Sequence, residues 1–312
     1  MRIYKSLDEA FHNELRRVMD CGEPVSPRGL PTVELTDAVF RIERPRARLI
    51  LNPKRRWSIF YALGEFMWHL SASDDLRFIA YYSRLWSEFS DDAHSVAGSC
   101  YGRRIFSPDH GKPSLWQRIL HLLRHDADTR QAVIALFDAH ADLDSASRDV
   151  PCSCVLQFLL RGNSVNLIVY MRSNDLMLGF GYDVFFFTLL QEMLAMELGL
   201  PLGWYQHAVG SLHVYEKDIS RAEQILLEQA TACAEMEPMT LLDAIPTVLR
   251  YERVVREATT VSPAMEFTAP RYWRQMLEVL LFSKLRRAGD LKGAARVAEK
   301  LKDSVYAPLL PR

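Results

Sequence analysis

Cysteine, net charge and long apolar runs are all scarce in this sequence, and each shortage excludes a class of protein. Five cysteines in 312 residues are too few, and odd in number, for a disulfide-rich extracellular domain. A net charge of −1 excludes a general attraction to polymeric nucleic acid or to a membrane surface. The apolar runs around 176–190 and 276–282 are too short or too interrupted for a bilayer span. With no secretory signal at the N-terminus, we expect a cytoplasmic protein.

Metal-ligand spacing and domain linkers are lacking too. Cys152 and Cys154 are separated by one residue, which does not match a zinc knuckle, and no second cysteine pair follows them. We therefore expect no metal site, and one cysteine becomes a candidate nucleophile. There is no repeat, low-complexity tract or long Gly/Ser linker, so we predict a single domain over residues 1–312.

The sequence does contain alternating helix and strand patterns. Helices are predicted over roughly the first fifteen residues and over 59–70, 115–123, 184–197, 271–287 and 292–302. Strands are predicted over 33–42, 49–51, 132–137, 154–160 and 165–171, with a hairpin turn at 161–164. This order predicts an α/β or α+β fold whose central mixed sheet is partly covered by helices.

A candidate nucleophile lies at the start of the 154–160 strand, in the sequence Pro-Cys-Ser-Cys. Composition alone favours two small core residues. A polar loop before the motif and Arg172 on the adjoining strand instead favour a thiolate, with a pKa below the ordinary value of about 8.5. Regular alternation would place Cys152 and Cys154 on the same face, so sidedness does not choose between them.

A polar segment separates the 165–171 strand from the apolar helix that follows it. A guanidinium such as Arg172, at the end of a strand, suits bidentate phosphate recognition. Asp183 alone could be an ordinary helix cap. Farther along, His213 and Tyr215 project the same way if the chain is extended, which suits a sugar hydroxyl, although such residues are more often structural. Glu65 is a carboxylate on an otherwise apolar helix, and burial there is costly unless it is paired.

Taken in order, these segments resemble the thymidylate synthase superfamily from about Arg28 to Tyr215. The resemblance implies a three-layer fold that dimerises through its sheet. It also implies roles for individual residues. Those implied to be catalytic are Cys152, Glu65, Tyr101 and Asp183. Those implied to bind the nucleotide are Arg28, Arg130, Gln157, Arg172, Ser173, Asn174, Asp183, His213 and Tyr215. Those implied to bind 5,10-methylenetetrahydrofolate are Trp86, Asp175, Leu178 and Gly179.

Asp183 narrows the resemblance, because thymidylate synthases carry an asparagine there. A carboxylate accepts from the cytosine amino group and repels uracil O4. Together with Ser153, in place of the histidine that usually follows the family's cysteine, this resembles the cytidylate 5-hydroxymethylases. We expect hydroxymethylation of dCMP or CMP. The alternatives are a thymidylate synthase acting on dUMP and a catalytically silent homologue that binds nucleotide or mRNA.

The resemblance also implies partners. They are a pyrimidine mononucleotide, a folate and a second copy of the chain, with Arg130 contributed across the dimer interface. The family's usual second arginine after Arg130 is Gln131 in this sequence. Ser173 and Arg130 resemble the deoxynucleotide enzymes, which favours dCMP over CMP.

Overall fold

The computed structural model describes residues 1–108, 111–143, 145–230 and 234–311, which divide into two compact units. The sheet unit comprises Met1–Trp57, Pro108–Ala146 and Val150–Met236, and the helical unit comprises Ser58–Ser107, Ser147–Asp149 and Glu237–Arg312. A single domain over residues 1–312 stays a prediction. Cys233 lies outside the described residues.

Strands and helices follow one another along the chain. The strands are β1 (Arg2–Tyr4), β2 (Glu23–Val25), β3 (Thr32–Leu35), β4 (Ala38–Ile42), β5 (Val133–Ala135), β6 (Ser153–Arg161), β7 (Ser164–Met171), β8 (Asn174–Asp175), β9 (Leu202–Val209) and β10 (Leu212–Tyr215). The helices are α1 (Leu7–Cys21), α2 (Ile59–Leu70), α3 (Leu76–Tyr82), α4 (Trp86–Phe89), α5 (Tyr101–Phe106), α6 (Leu115–His125), α7 (Phe180–Leu198), α8 (Ile219–Leu226), α9 (Ile245–Glu257), α10 (Arg271–Arg287) and α11 (Leu291–Lys300).

The central sheet of the sheet unit is mixed. Its strand order is β1-β4-β9-β7-β6-β5, with β1–β4 and β7–β9 parallel and the other pairs antiparallel. A smaller sheet has the order β2-β3-β10-β8. Helices α1 and α7 pack on one face of the central sheet, where Phe40 of β4 contacts Phe180 of α7 at a ring-centroid distance of 5.9 Å. The predicted mixed sheet covered by helices is confirmed.

The opposite face of the central sheet is largely solvent-accessible. Val39, Val133 and Tyr170 are 36%, 42% and 44% exposed on β4, β5 and β7. Strand alternation and the pairing register place Arg41 and Gln206 on this same face, where their side chains hydrogen-bond at 3.0 Å. This uncovered face therefore carries both apolar and polar side chains, on strands from β4 to β5 of the sheet.

The β6–β7 hairpin positions the predicted nucleophile and guanidinium. Its turn residues Gly162 and Asn163 both have positive φ, of 63° and 55°, as a two-residue type I′ turn requires. The pairing shifts between Ser153 and Val155, so a bulge at Cys154 interrupts the ladder. The regular alternation on which a common face for Cys152 and Cys154 depended is therefore broken at this point.

Two sequence predictions fail near the N-terminus. Residues 2–4 form a strand instead of continuing the predicted first helix, and α1 begins only after Ser6, whose side chain accepts from the Glu9 amide at 3.2 Å. The predicted strand at 49–51 is absent from the described residues. There the Leu51 amide donates to the Asp8 carboxylate at 2.9 Å, so a side chain satisfies backbone that a ladder would otherwise pair.

The helical unit is built around α2, α9 and α10. Helix α10 confirms the prediction for 271–287, and α11 matches the one for 292–302 within two residues. Helix α9 was not predicted, and its Glu252 is buried with partners on both sides: the Tyr82 hydroxyl at 2.6 Å and Arg256 at 2.8 Å. Among the described helices, none has the length and apolar content that a membrane span requires.

Candidate active site

Cys152 and Arg172 lie side by side where β6 begins and β7 ends. The Arg172 amide donates to the Cys152 carbonyl at 2.9 Å, and an Arg172 Nη lies 3.7 Å from the Cys152 sulfur. Arg172 is also fixed by the carbonyls of Val150 and Pro151, at 3.1 and 2.9 Å. The hairpin thus brings together two residues that the sequence singled out separately.

The Cys152 thiol carries a pKa above its ordinary value. Burial raises the pKa, and the positive charges of Arg172 and Arg28 oppose that effect without cancelling it. The prediction of a lowered pKa was therefore wrong, because it considered Arg172 and not the loss of water around the sulfur. The thiol must lose its proton before it can act as a nucleophile.

Asp183 lies in the first turn of α7 but does not cap the helix. Gly179 is the N-cap residue, and the Asp183 carboxylate instead accepts from the Asn174 side-chain amide at 2.8 Å. Burial raises the pKa of Asp183 to about 7, while the hydrogen bond from Asn174 lowers it. The negative charge of Asp183 also raises the pKa of Cys152, so the two groups are electrostatically linked.

The smaller sheet carries three more of the predicted site residues, Asp175 on β8 and His213 and Tyr215 on β10. His213 of β10 pairs in register with Asp175 of β8, and the His213 ring lies 5.2 Å from that of Tyr215. The predicted projection of His213 and Tyr215 to one side is consistent with this contact. Burial raises the pKa of Asp175, and His213 opposes the rise. Half-buried Ser173 connects this sheet to Arg172.

Arg28 and the Arg130–Gln157 pair lie in exposed positions of the sheet unit. Arg28 has a left-handed backbone, with φ of 53°, in a short 3-10 turn that ends at Gly29. Gln157 lies on the uncovered sheet face, and its amide donates to the Arg130 carbonyl at 3.0 Å. Gln157 therefore belongs with Arg130 in this structure, and its role in substrate binding stays a prediction.

In the helical unit, Glu65 is buried against aromatic side chains. The Tyr61 hydroxyl, one helical turn away on α2, donates to the Glu65 carboxylate and accepts from the Trp86 indole nitrogen at 3.0 Å. The partner that a buried carboxylate needs is thus a tyrosine that the sequence analysis missed. Its spacing of four residues from Glu65 was the available signal.

Tyr101 belongs to the same aromatic group as Trp86. Trp68 contacts Trp86 at 5.5 Å and His69 at 4.9 Å between ring centroids, and His69 stacks on Tyr101 at 5.6 Å. Burial lowers the pKa of His69 to about 3, so its imidazole is neutral. The structure therefore brings Glu65, Trp86 and Tyr101 together within the helical unit.

Comparison with known proteins identifies a family for this sequence. Residues 9–247 match the family model described as thymidylate synthase. A deoxyuridylate hydroxymethyltransferase of Bacillus phage SP01 is 29% identical over 76% of this chain and 67% of its own length. One of Delftia phage PhiW-14 is 28% identical over 69% of this chain and 64% of its own length.

A thymidylate synthase of Corynebacterium aurimucosum is 25% identical over 72% of this chain and 84% of its own length. A deoxyuridylate hydroxymethyltransferase of Pseudomonas phage M6 is 29% identical over 57% of this chain, and the chain spans 50% of its length, against 67% and 64% for the other two phage proteins named. The names of these relatives denote hydroxymethyl transfer to deoxyuridylate and the synthesis of thymidylate. Because the family model covers most of the sequence, the chain belongs to the thymidylate synthase family.

Proposed function

We propose that this protein is a cytidylate 5-hydroxymethyltransferase, which converts dCMP, or CMP, into its 5-hydroxymethyl derivative with 5,10-methylenetetrahydrofolate and water. The observation that carries the proposal is the Asp183 carboxyl group beside Cys152, in a family whose synthases carry an asparagine there. An ionised carboxylate offers only acceptors, so it pairs with the cytosine amino group and repels uracil O4.

The size of this preference follows from the cost of an unpaired polar group. Leaving a buried carboxylate against uracil O4 costs a few kcal/mol, which corresponds to a preference of about a hundredfold or more. The pKa of Asp183, about 7, makes the ionised form dominant only above neutral pH. Discrimination against dUMP should therefore grow as the pH rises through 7.

Cys152 is the proposed nucleophile. Its thiolate would add to C6 of the pyrimidine, which makes C5 enamine-like and nucleophilic. The Arg172 guanidinium, 3.7 Å from the sulfur, favours the thiolate at that moment. Asp183 would accept from the N4 amino group, and also from N3–H once N3 takes up the proton that balances the thiolate addition at C6.

The residues around Asp175 fit a folate. Leu178 is 45% exposed and offers an apolar surface, and the Asp175 carboxylate can accept from a pterin or amide N–H. Behind them, Arg55 donates to the Leu178 carbonyl at 3.4 Å, and its buried Nε has no partner among the described atoms. When bound, methylenetetrahydrofolate would supply the one-carbon unit that becomes attached to C5, and tetrahydrofolate would be released as the second product. Asp175, Leu178 and Gly179 would hold it, with Trp86.

Glu65 and Tyr101 are the candidate acid–base groups of the second half of the reaction. Tyr101 would assist removal of the C5 proton, and Glu65 would orient the water whose oxygen ends in the hydroxymethyl group. In a methylation, the carbon attached to C5 would receive a hydride instead of the water oxygen. The buried Glu65–Tyr61 hydrogen bond supports a carboxylate whose orientation is fixed.

The nucleotide phosphate and sugar have their own residues. Arg28, Arg172 and Ser173 would bind the phosphate, and His213 and Tyr215 would bind the ribose or deoxyribose. We also propose a homodimer formed through the uncovered sheet face. Arg130 adjoins that face through Gln157, which supports its contribution to the second active site of the dimer.

A second candidate is a hydroxymethyltransferase or synthase that acts on dUMP, and the names of the relatives favour it. Asp183 argues against this reading. A silent homologue is opposed by the presence of Cys152, Glu65 and Arg172 together.

The test is to incubate the protein with dCMP, CMP or dUMP and methylenetetrahydrofolate, and to weigh the nucleotide product. We expect dCMP to gain CH2O. A dUMP product, with dCMP left unchanged, would overturn the substrate assignment, and a gain of CH2 would identify a methylase. Asp183→Asn should reverse the preference, since an amide can pair with uracil O4 and N3–H.

A further inference from the structure

A buried chain of hydrogen bonds lies behind Asp183. The Tyr205 hydroxyl bonds to His207 Nδ1 at 2.7 Å, and His207 Nε2 bonds to the Asn174 side-chain carbonyl at 3.1 Å. The Asn174 amide nitrogen then donates to Asp183 Oδ2 at 2.8 Å. We call Tyr205, His207 and Asn174 the relay; they are 0%, 0% and 3% exposed.

We propose that the relay holds Asp183 as a hydrogen-bond acceptor toward the substrate base and so sets the choice between cytosine and uracil. This inference rests on the proposed function for its consequence, but the relay itself can be tested without a nucleotide. The relay residues would be positioning residues, since they act through Asp183 and not on the base. Asn174, which the resemblance implies to bind the nucleotide, would then contribute to binding through Asp183.

The two ends of this hydrogen-bond series, Tyr205 and Asp183, determine which group donates and which accepts at each step. If Tyr205 donates to His207 Nδ1, then Nε2–H donates to the Asn174 carbonyl and the Asn174 amide is left to donate to a carboxylate. In the reverse direction Asp183 must be protonated, and the Tyr205 O–H would need a further acceptor. Among the described hydrogen bonds of that hydroxyl, His207 Nδ1 is the one partner. The first direction satisfies every group, and it is the one that leaves Asp183 ionised.

A neutral histidine is required for this arrangement, and the fold provides one. The His207 imidazole is enclosed by Phe40 and Phe180, at ring-centroid distances of 5.4 and 5.6 Å. Burial lowers its pKa to about 3, so it keeps one N–H and one lone pair and can link a donor to an acceptor.

Space for the last hydrogen bond depends on a glycine. A methyl group at Gly179 would lie 2.9 Å from Asp183 Oδ2 and 3.4 Å from the Asn174 nitrogen. A side chain at this N-cap position would therefore press on the Asp183 carboxylate, and glycine leaves room for the hydrogen bond from Asn174.

The relay opposes the effect of burial on Asp183. The groups linked to Asp183 are the Asn174 amide from β8, the Tyr205 hydroxyl from β9 and the Cys152 thiol that precedes β6. Burial raises the Asp183 pKa to about 7 and the Asn174 N–H lowers it, so freeing Asn174 to rotate should raise it further.

The first experiment titrates the Asp183 side-chain carboxyl by carbon-13 NMR in the nucleotide-free protein, with Asp183→Asn to assign the resonance. His207→Phe should raise the midpoint by about one pH unit, because it removes the N–H that orients Asn174. His207→Gln, which restores a donor and an acceptor, should return it partway. Phe40→Leu removes packing around the same ring and should leave it unchanged. An equal midpoint in wild type and His207→Phe, or an equal rise in Phe40→Leu, overturns the relay.

The second experiment measures the ratio of the dUMP and dCMP dissociation constants by calorimetry at pH 8. We expect His207→Phe to lower this ratio by about tenfold and Tyr205→Phe by less, as one buried charge-assisted hydrogen bond would predict. A wild-type protein that prefers dUMP would defeat the proposed function, while the titration would still decide the relay. A ratio unchanged in His207→Phe with a raised midpoint would overturn the link to base choice.

Discussion

The two units place their candidate catalytic groups by different means. In the sheet unit, pairing register brings Arg172 beside Cys152 from twenty residues away, and Asn174 of β8 reaches Asp183, nine residues later, with its side-chain amide. In the helical unit, Glu65 and its partner Tyr61 are one turn apart on a single helix, and Trp86 closes the group. Register brings charged groups together, whereas helical spacing surrounds one carboxylate with aromatic rings.

Each unit also keeps a neutral histidine, and the two are used differently. Burial lowers the pKa of both His207 and His69 to about 3. His207 joins two polar groups through both ring nitrogens, while His69 accepts from the Gly102 amide at 3.3 Å and stacks on Tyr101. Two equally buried histidines therefore have different roles: His207 connects two polar side chains by hydrogen bonds, and His69 stacks against an aromatic ring.

The largest expected effect tests the sheet unit. Cys152→Ser should lower turnover by at least about a thousandfold while nucleotide binding is kept, because a serine hydroxyl is a far poorer nucleophile than a thiolate. Steady-state kinetics and calorimetry would measure both. Cys154→Ser, two residues away in the bulge, is the matched control and should change turnover less than about threefold. Comparable losses in the two variants would show that the thiol matters only for packing.

The next effect tests the helical unit. Glu65→Gln should lower turnover by about a hundredfold without weakening nucleotide binding, as expected when a general acid–base group is lost. Tyr61→Phe should cost less, about tenfold, because the carboxylate stays and loses only its orienting hydroxyl. Exposed Glu88→Gln is the control. Full activity in Glu65→Gln would show that Glu65 has no acid–base role in the reaction.

A smaller effect concerns the charge that register places beside Cys152. Burial raises the pKa of this thiol and Arg172 lowers it, so Arg172→Ala should raise the pKa further. In a background where exposed Cys21 is replaced by serine, the iodoacetamide reaction of Cys152 at pH 8 should slow by about threefold to tenfold, followed by peptide mass spectrometry. Arg161→Ala, at the end of β6 far from Cys152, is the control and should leave the rate unchanged.

The smallest effect is one of stability in the helical unit. Tyr82→Phe removes the hydrogen bond to buried Glu252 and should lower the free energy of unfolding by about 1–2 kcal/mol, with Arg256 still pairing the carboxylate. Denaturant unfolding would measure it. Tyr170→Phe, on an exposed tyrosine of the sheet unit, should have an effect near zero. Equal losses would mean that the Glu252 hydrogen bond adds nothing specific.

Much of the arrangement was accessible from sequence, because the strong patterns are local. The hairpin around Gly162, the apolar helix α7 and the order of the family motifs all reflect short-range signals. The strand at residues 2–4 and the polar contact at Leu51 depend on partners far away in the chain, which periodicity does not contain. The raised pKa of Cys152 escaped prediction because the burial of a side chain depends on the whole fold. The positive charge of Arg172, by contrast, can be read directly from the sequence.

The polar link through His207 was missed for a related reason. A histidine in the middle of an apolar strand predicts a satisfied core residue, and nothing in the sequence connects it with Asn174, thirty-three residues earlier. Substrate roles for Gln157 and Arg130 stay predictions, as does the dimer.

The bulge at Cys154 decides which residue after β7 lies across from Cys152. Beyond the bulge Val155 pairs with Tyr170, and that register, continued without interruption, would set Cys152 across from Ser173. The extra residue moves the alignment by one position, so that Arg172 meets Cys152 instead. Loss of the single codon for Cys154 would remove the extra residue and still leave Ser153 across from Met171 and Cys152 across from Arg172, whereas a Cys154 forced into the regular ladder would set Ser173 beside the sulfur.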